Sequence, residues 1–309
     1  MRYALAKRML WTAALIGLTG HTALATCPAP LPVIVDVPGV GYYTDSQHSV
    51  RDQILFERNR EALAALDRYL SEIAHMSDAF LRTNAAAGRC TVAWLTAWAQ
   101  GGALLGEPSV SAQARSQRRW SAAAMALSAL KVWDVASEAE RVVLRSYVRR
   151  LTQAVQQDAV ADRLRNNLLY WAGLLDMASA QLVGDPRLSE RAISICRNAV
   201  ASLTPQGSLP LEDLRGARAI DYNGFALFPL SVIATIGGGQ TPGCSVMDLQ
   251  PLAHYVLAHR DQTSDEFLRW SPFLRMDVGA RPEALFYSYG GGFLPLVARK
   301  LAAIAPARS

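Results

Sequence analysis

After Arg51 the apolar positions settle into a helical period that persists along most of the chain. Leu63, Leu66, Leu70 and Ile73 recur at three- and four-residue steps, as do Leu144, Val148, Leu151 and Val155, while Gly and Pro punctuate the runs. The pattern predicts roughly ten helices, at about 52–82, 90–105, 110–131, 137–158, 167–182, 187–203, 223–236, 247–260, 264–270 and 292–304. No series of alternating strands accompanies them. Short breaks such as Gly184-Asp185-Pro186 turn successive helices antiparallel. The expected fold is therefore all-α, a stack of helical hairpins without a repeat of fixed period, curved or closed into a ring whose concave face makes a groove.

The chain before Arg51 reads differently. Pro28, Pro30, Pro32 and Pro38 prevent regular helix and predict an extended segment, followed by a polar, aromatic loop from Gly41 to His48. Still earlier, Arg2, Lys7 and Arg8 precede an apolar run from Met9 to Leu18 and the small-residue sequence Ala23-Leu24-Ala25, the pattern of a secretory signal peptide over residues 1–25. That run is too short to span a bilayer comfortably, so the mature chain, residues 26–309, is expected as one periplasmic or secreted domain without a transmembrane segment.

Export changes what charge and cysteine content mean. Of 31 Lys plus Arg, 28 remain after cleavage against 26 Asp plus Glu, a near balance that excludes nucleic-acid binding driven by charge. Four cysteines, Cys27, Cys90, Cys196 and Cys244, enter an oxidising compartment, and two disulfides with three connectivities follow. None lies in a CxxC or metal-ligand cluster, so a zinc site is not expected; no cofactor is expected either.

Candidate chemistry gathers in two stretches. In Arg165-Asn166-Asn167-Leu168-Leu169-Tyr170-Trp171, two carboxamides open an apolar helix; one of them suits an N-cap, its side-chain oxygen accepting a free backbone N–H. From Leu209 to Leu230, Arg215 precedes Tyr222 by seven residues, two turns of a helix, although Gly216 and Gly224 favour a loop leading into one. A nearby arginine favours the phenolate of a tyrosine and brings it toward proton-transfer work. Elsewhere Trp94 and Trp98 share a helix face, as core or as sugar-stacking groups, and Arg118-Arg119 form a solvated face or an anion site. The histidines show no HxxH pair.

The blocks CTVAWLTAWAQGGALL (90–105), RRW (118–120), NNLLYWAGLLDMA (166–178), GSLPLE (207–212) and RGARAIDYNGFALFPL (215–230), in this order, resemble the alginate lyase family that cleaves poly-β-D-mannuronate. The resemblance covers about residues 27–236. It implies an (α/α) toroid or incomplete α/α barrel with a deep cleft, a disulfide between Cys27 and Cys90 that leaves Cys196 with Cys244, and metal-free β-elimination by a monomer on an acidic polysaccharide. In that reaction the C5 proton of a uronate is removed and the C4 glycosidic oxygen expelled. The proton becomes acidic enough only when the neighbouring carboxylate is neutralised, an electrostatic task.

By resemblance, Asn167 matches the neutralising asparagine, Arg215 the supporting arginine and Tyr222 the tyrosine that serves as base and acid. Asn166, Tyr170, Trp171, Arg118, Tyr43 and His48 are expected along the substrate path. The family's histidine after the asparagine is replaced by Leu168, which can neither donate a hydrogen bond nor carry charge. The leading loop also lacks the family's lysine, keeping Tyr42 and Tyr43. Two functions compete: a lyase acting on a uronate-containing polymer, and a catalytically impaired protein that binds an exopolysaccharide or assists its export.

Overall fold

Several helices of this chain begin where a short polar side chain takes up free backbone N–H groups. In the computed structural model, which describes residues 27–259 and 262 except 82, 107–110 and 238–240, Asn84 caps α2 (Ala85–Gln100) and Ser111 caps α3 (Ala112–Lys131). Ser137 and Glu140 form a reciprocal capping box on α4 (Glu138–Ala161). Asn166 caps α5 (Asn167–Val183), and Asp185 with Pro186 starts α6 (Pro186–Ala201). The break between α5 and α6 is made by Gly184, at φ 71°, a left-handed conformation that glycine adopts without a Cβ clash. The remaining helices are α1 (Gln53–Leu81), α7 (Pro210–Asp213), α8 (Ala219–Ile236) and α9 (Gln250–Ala258). The expected signal peptide and the helices at 264–270 and 292–304 lie outside the described residues.

Burial separates the helices into two layers. Helices α3, α5 and α8 are buried nearly all round, whereas α4 and α6 bury single stripes, Leu144, Val148, Leu151 and Val155 in one and Ala192, Ile195, Cys196 and Ala199 in the other. Contacts follow the same division. Helices α1, α3, α5 and α8 pack side by side in succession, and α2, α4 and α6 pack against their hairpin partners α1, α3 and α5. This is the (α/α) toroid. One stretch, Gly216–Ile236, is apolar and long enough to cross a membrane, but 78% of its most apolar window is buried inside the fold. Only an isolated antiparallel bridge, Tyr43 with Arg51, adds extended pairing among the described residues.

Both cysteine pairs close as disulfides, Cys27–Cys90 and Cys196–Cys244, over separations of 63 and 48 residues. The first ties the proline-rich strap, residues 27–52, to α2. Along that strap the indole N–H groups of Trp94 and Trp98 donate to the carbonyls of Pro28 and Leu31 at 2.8 and 2.9 Å, and Leu104 N–H donates to Ile34 O at 2.9 Å. Both tryptophans are thus core residues that also anchor the strap. At Gly39 the strap crosses α3 so closely that a Cβ would come within 2.6 Å of the Ala114 backbone. The crossing delivers Tyr42, Tyr43 and His48 to the groove.

Candidate functional site

The groove holds a cavity of about 600 Å³, walled by one face of α3, the start of α5, the α7–α8 junction and the strap. That size lies within the usual range of small-ligand sites. Two expected catalytic elements meet here for different local reasons. Asn166 takes the N-cap, its Oδ1 accepting from Leu168 N–H at 3.3 Å, and this leaves Asn167 on the first helical turn, where it lines the cavity. Across the groove, the expected loop before residue 223 is instead α7, a 3₁₀ turn and an early start of α8. Gly216 supplies the bend at φ 56°, whereas Gly224 lies inside the helix, so Tyr222 occupies the first turn of α8.

Tyr222 sits among cations and a second phenol. Its hydroxyl shares a hydrogen bond with the Tyr43 hydroxyl, which also accepts from Arg218 Nη1 at 3.1 Å. The Arg215 and Arg218 guanidinium carbons lie 4.5 and 5.6 Å from the Tyr222 ring centroid, within cation–π range. Burial nevertheless dominates, and with Tyr43 it raises the Tyr222 pKa well above the ordinary phenol value, while Arg218 and Arg215 oppose the rise. In the unliganded protein Tyr222 is a neutral phenol, and the arginines limit the cost of ionising it.

The strap closes one side. Asp45 accepts hydrogen bonds from the backbone of Ser49 and Val50 and holds the loop in a tight turn. Arg215 donates from Nη1 to Gln47 O at 2.7 Å, which ties this loop to the α7–α8 junction. His48, at φ 57°, lies flat on Tyr43 with ring centroids 5.0 Å apart. Desolvation and Arg215 lower its pKa against the influence of Asp45, so the neutral imidazole is favoured.

The other expected substrate residues lie elsewhere. Arg118 does not line the cavity: its guanidinium is buried in a two-point pair with Asp158 of α4, at 2.6 and 2.8 Å, which makes it neither a solvated face nor an open anion site. Tyr170 and Trp171 are 5% and 2% exposed and also stand outside the lining. Trp171 packs on Phe225, which in turn meets Trp120 edge-on, and Trp120 is the tryptophan that reaches the groove. Leu168 is half-buried in the lining and presents no polar atom on its side chain.

Sequence reasoning missed Trp120, Arg218 and Glu212. Arg218 stands one helical turn before Tyr222, a spacing that carries the signal. Glu212 gives no periodic signal, because it reaches Asn167 only through the fold. The lining contains five arginines, Arg51, Arg163, Arg165, Arg215 and Arg218, but two acids. Both acids are paired: Asp162 with Arg115 and Arg119, and Asp221 with Arg218. Positive charge is thus concentrated in this groove.

Comparison with known proteins agrees with this architecture. The profile of the family described as Alginate lyase matches residues 38–258. A polysaccharide lyase of Stenotrophomonas maltophilia (strain K279a) is 38% identical over 223 residues, 71% of this chain and 67% of that protein. An alginate lyase of Pseudomonas putida (strain GB-1) is 29% identical over 196 residues, 60% of this chain; the chain spans about half, 52%, of that relative. Among solved structures, alginate lyase A1-III from Sphingomonas species A1 superposes with a TM-score of 0.61 at 19% identity, over 88% of this chain and 86% of that one. A tetrasaccharide complex of a substituted A1-III enzyme gives 0.64 at 20% identity, over 84% and 75%.

Proposed function

From the fact that the chain belongs to the alginate lyase family, we propose that it cleaves a uronate-containing polysaccharide by β-elimination. The observation that carries this reading is the arginine-rich groove in which Tyr222, Tyr43, Arg215, Arg218 and Asn167 converge. A polyanion is drawn to such a groove, because low-dielectric walls concentrate the field of like charges. Leu211 and Leu214, 43% and 61% exposed, and Trp120 provide apolar surface for sugar faces.

In the proposed reaction the substrate carboxylate accepts hydrogen bonds from Asn167 and the arginines, which stabilise the charge that develops as the C5–H bond breaks. Tyr222 first releases its phenolic proton to solvent, a loss that burial opposes and Arg218 and Arg215 favour, and as the phenolate it takes the C5 proton. The electron pair forms the C4–C5 double bond and the C4–O bond breaks. Tyr222 then returns the proton to the departing glycosidic oxygen, so the step balances without a metal ion. The protein acts in the periplasm or outside the cell once its leader is removed.

Leu168 leaves this site one charge-stabilising donor short of the family pattern, which predicts slow turnover. Incubation with a panel of polymannuronate, polyguluronate, polyglucuronate and polygalacturonate tests the reading through the ultraviolet absorbance of unsaturated uronate ends. At least one polymer should yield them. Binding without any such product would replace the lyase with an exopolysaccharide-binding protein.

A further inference from the structure

We propose that Glu212 is the positioning residue that aims the Asn167 carboxamide and couples it to Arg215, an inference that rests on the lyase reading of the site. Glu212 is fully buried on the four-residue α7. Its Oε1 accepts the Asn167 backbone N–H at 2.7 Å and its Oε2 accepts Asn167 Nδ2 at 2.8 Å, while Arg215 Nε lies 3.8 Å from Oε2. One carboxylate therefore touches two of the residues on which the reaction depends, across the interface between α5 and the α7–α8 junction.

Helix α7 is itself held in place. Leu209 N–H donates to Asn223 Oδ1 at 2.8 Å and Asn223 Nδ2 donates to Asp213 Oδ1 at 3.1 Å, which fastens α7 to α8, the helix that carries Tyr222. A continuous chain of bonds thus runs from α8 through α7 to the first residue of α5. Precise placement of this kind matters because small errors in the position of a charge-stabilising donor cost rate steeply.

The carboxylate suits this place for two reasons. It satisfies a backbone N–H that the first turn of α5 leaves without a partner, at the positive end of the helix dipole. It also selects the amide's orientation. An amide nitrogen carries two protons; Glu212 takes one and the other remains for a substrate carboxylate. Asn167 Oδ1 is buried and accepts no hydrogen bond, so the orientation is held from the nitrogen side. In the opposite orientation Oδ1 would face the carboxylate and be repelled. Glutamine at 212 keeps the shape, yet offers one acceptor where two donors point, which frees the amide to turn.

The test combines kinetics with a readout independent of activity. Glu212→Gln should lower kcat by about 10- to 100-fold with KM changed less than about threefold, and should add nothing further in an Asn167→Ala background, because residues acting as one unit are not additive. Retained kcat, a loss confined to KM, or multiplicative losses would overturn the proposal. In the wild-type protein, the NMR side-chain amide of Asn167, assigned by its disappearance in Asn167→Ala, should show one proton shifted downfield and protected from exchange. Two equivalent, rapidly exchanging protons would refute the positioning role even if Glu212→Gln does not fold. Absence of wild-type turnover on every polymer, with the protected amide present, would instead remove the lyase reading and leave Glu212 as the residue that orients Asn167.

Discussion

Tyr222 illustrates how two opposing effects on one side chain set the chemistry. Burial raises its pKa and the two arginines counter that rise, so removing one arginine has a definite sign. Arg218→Ala should displace the alkaline rise of the pH–rate profile to higher pH and lower kcat at neutral pH by about 10-fold or more. Tyr222→Phe should lower turnover by about 10³-fold or more with an unchanged circular dichroism spectrum, since it removes the proton carrier and leaves the packing. At Leu168 the expectation reverses. Leu168→His restores the family's donor on the first turn of α5 and should raise kcat by about 10- to 100-fold, as steady-state assays on the best polymer of the panel would reveal.

Among the elements, α5 carries the site at its start and a liability at its middle. Asp176 is 1% exposed; Gln156 Nε2 donates to its Oδ1 at 2.8 Å, while Oδ2 accepts no hydrogen bond and faces Arg191 Nε at 3.4 Å. Burial pushes its pKa up to about 6, with Arg191 and Gln156 opposing. A raised pKa means that the folded chain binds more protons than the unfolded chain between the unfolded carboxylate value, about 4, and this one. Stability from this group is therefore complete below about pH 4 and lost as pH rises through about 6. Asp176→Asn should raise the melting temperature at pH 7.5 by several degrees, on the order of 1–3 kcal/mol, and flatten its fall between pH 4 and 6, which thermal denaturation across that range would record.

Across the whole molecule, the two disulfides do different work. Each closes a loop whose entropy in the unfolded chain is worth about 4 kcal/mol in the chain-entropy account, so opening either should lower the melting temperature. Only Cys27–Cys90 holds the strap that brings Tyr43 to Tyr222. Cys27→Ser with Cys90→Ser should therefore reduce kcat/KM several-fold at 25 °C, whereas Cys196→Ser with Cys244→Ser should leave it within about twofold while destabilising the fold. The coupling from strap to groove belongs to the molecule rather than to any one helix.

The sequence by itself determined the helices, because apolar spacing, capping residues and glycine breaks act within a few residues of one another. It also marked one of Asn166 and Asn167 as a cap and set Arg215 and Tyr222 in one short stretch, while the structure assigned the cap to Asn166; the disulfide pairing and the toroid came from block resemblance, not spacing. Boundaries moved where a local cap was overlooked, as at Asn84, which starts α2 earlier than expected. What only tertiary structure decided was which side chains share the groove. Trp171 and Arg118 satisfy local rules for binding residues, yet helix rotation turns the first into the core and pairs the second with Asp158. Trp120, Arg218 and Glu212 enter instead. Arg218 has a local signal in its spacing to Tyr222, whereas the contact of Glu212 with Asn167 and the path of the strap join residues far apart in sequence, and no local pattern records them.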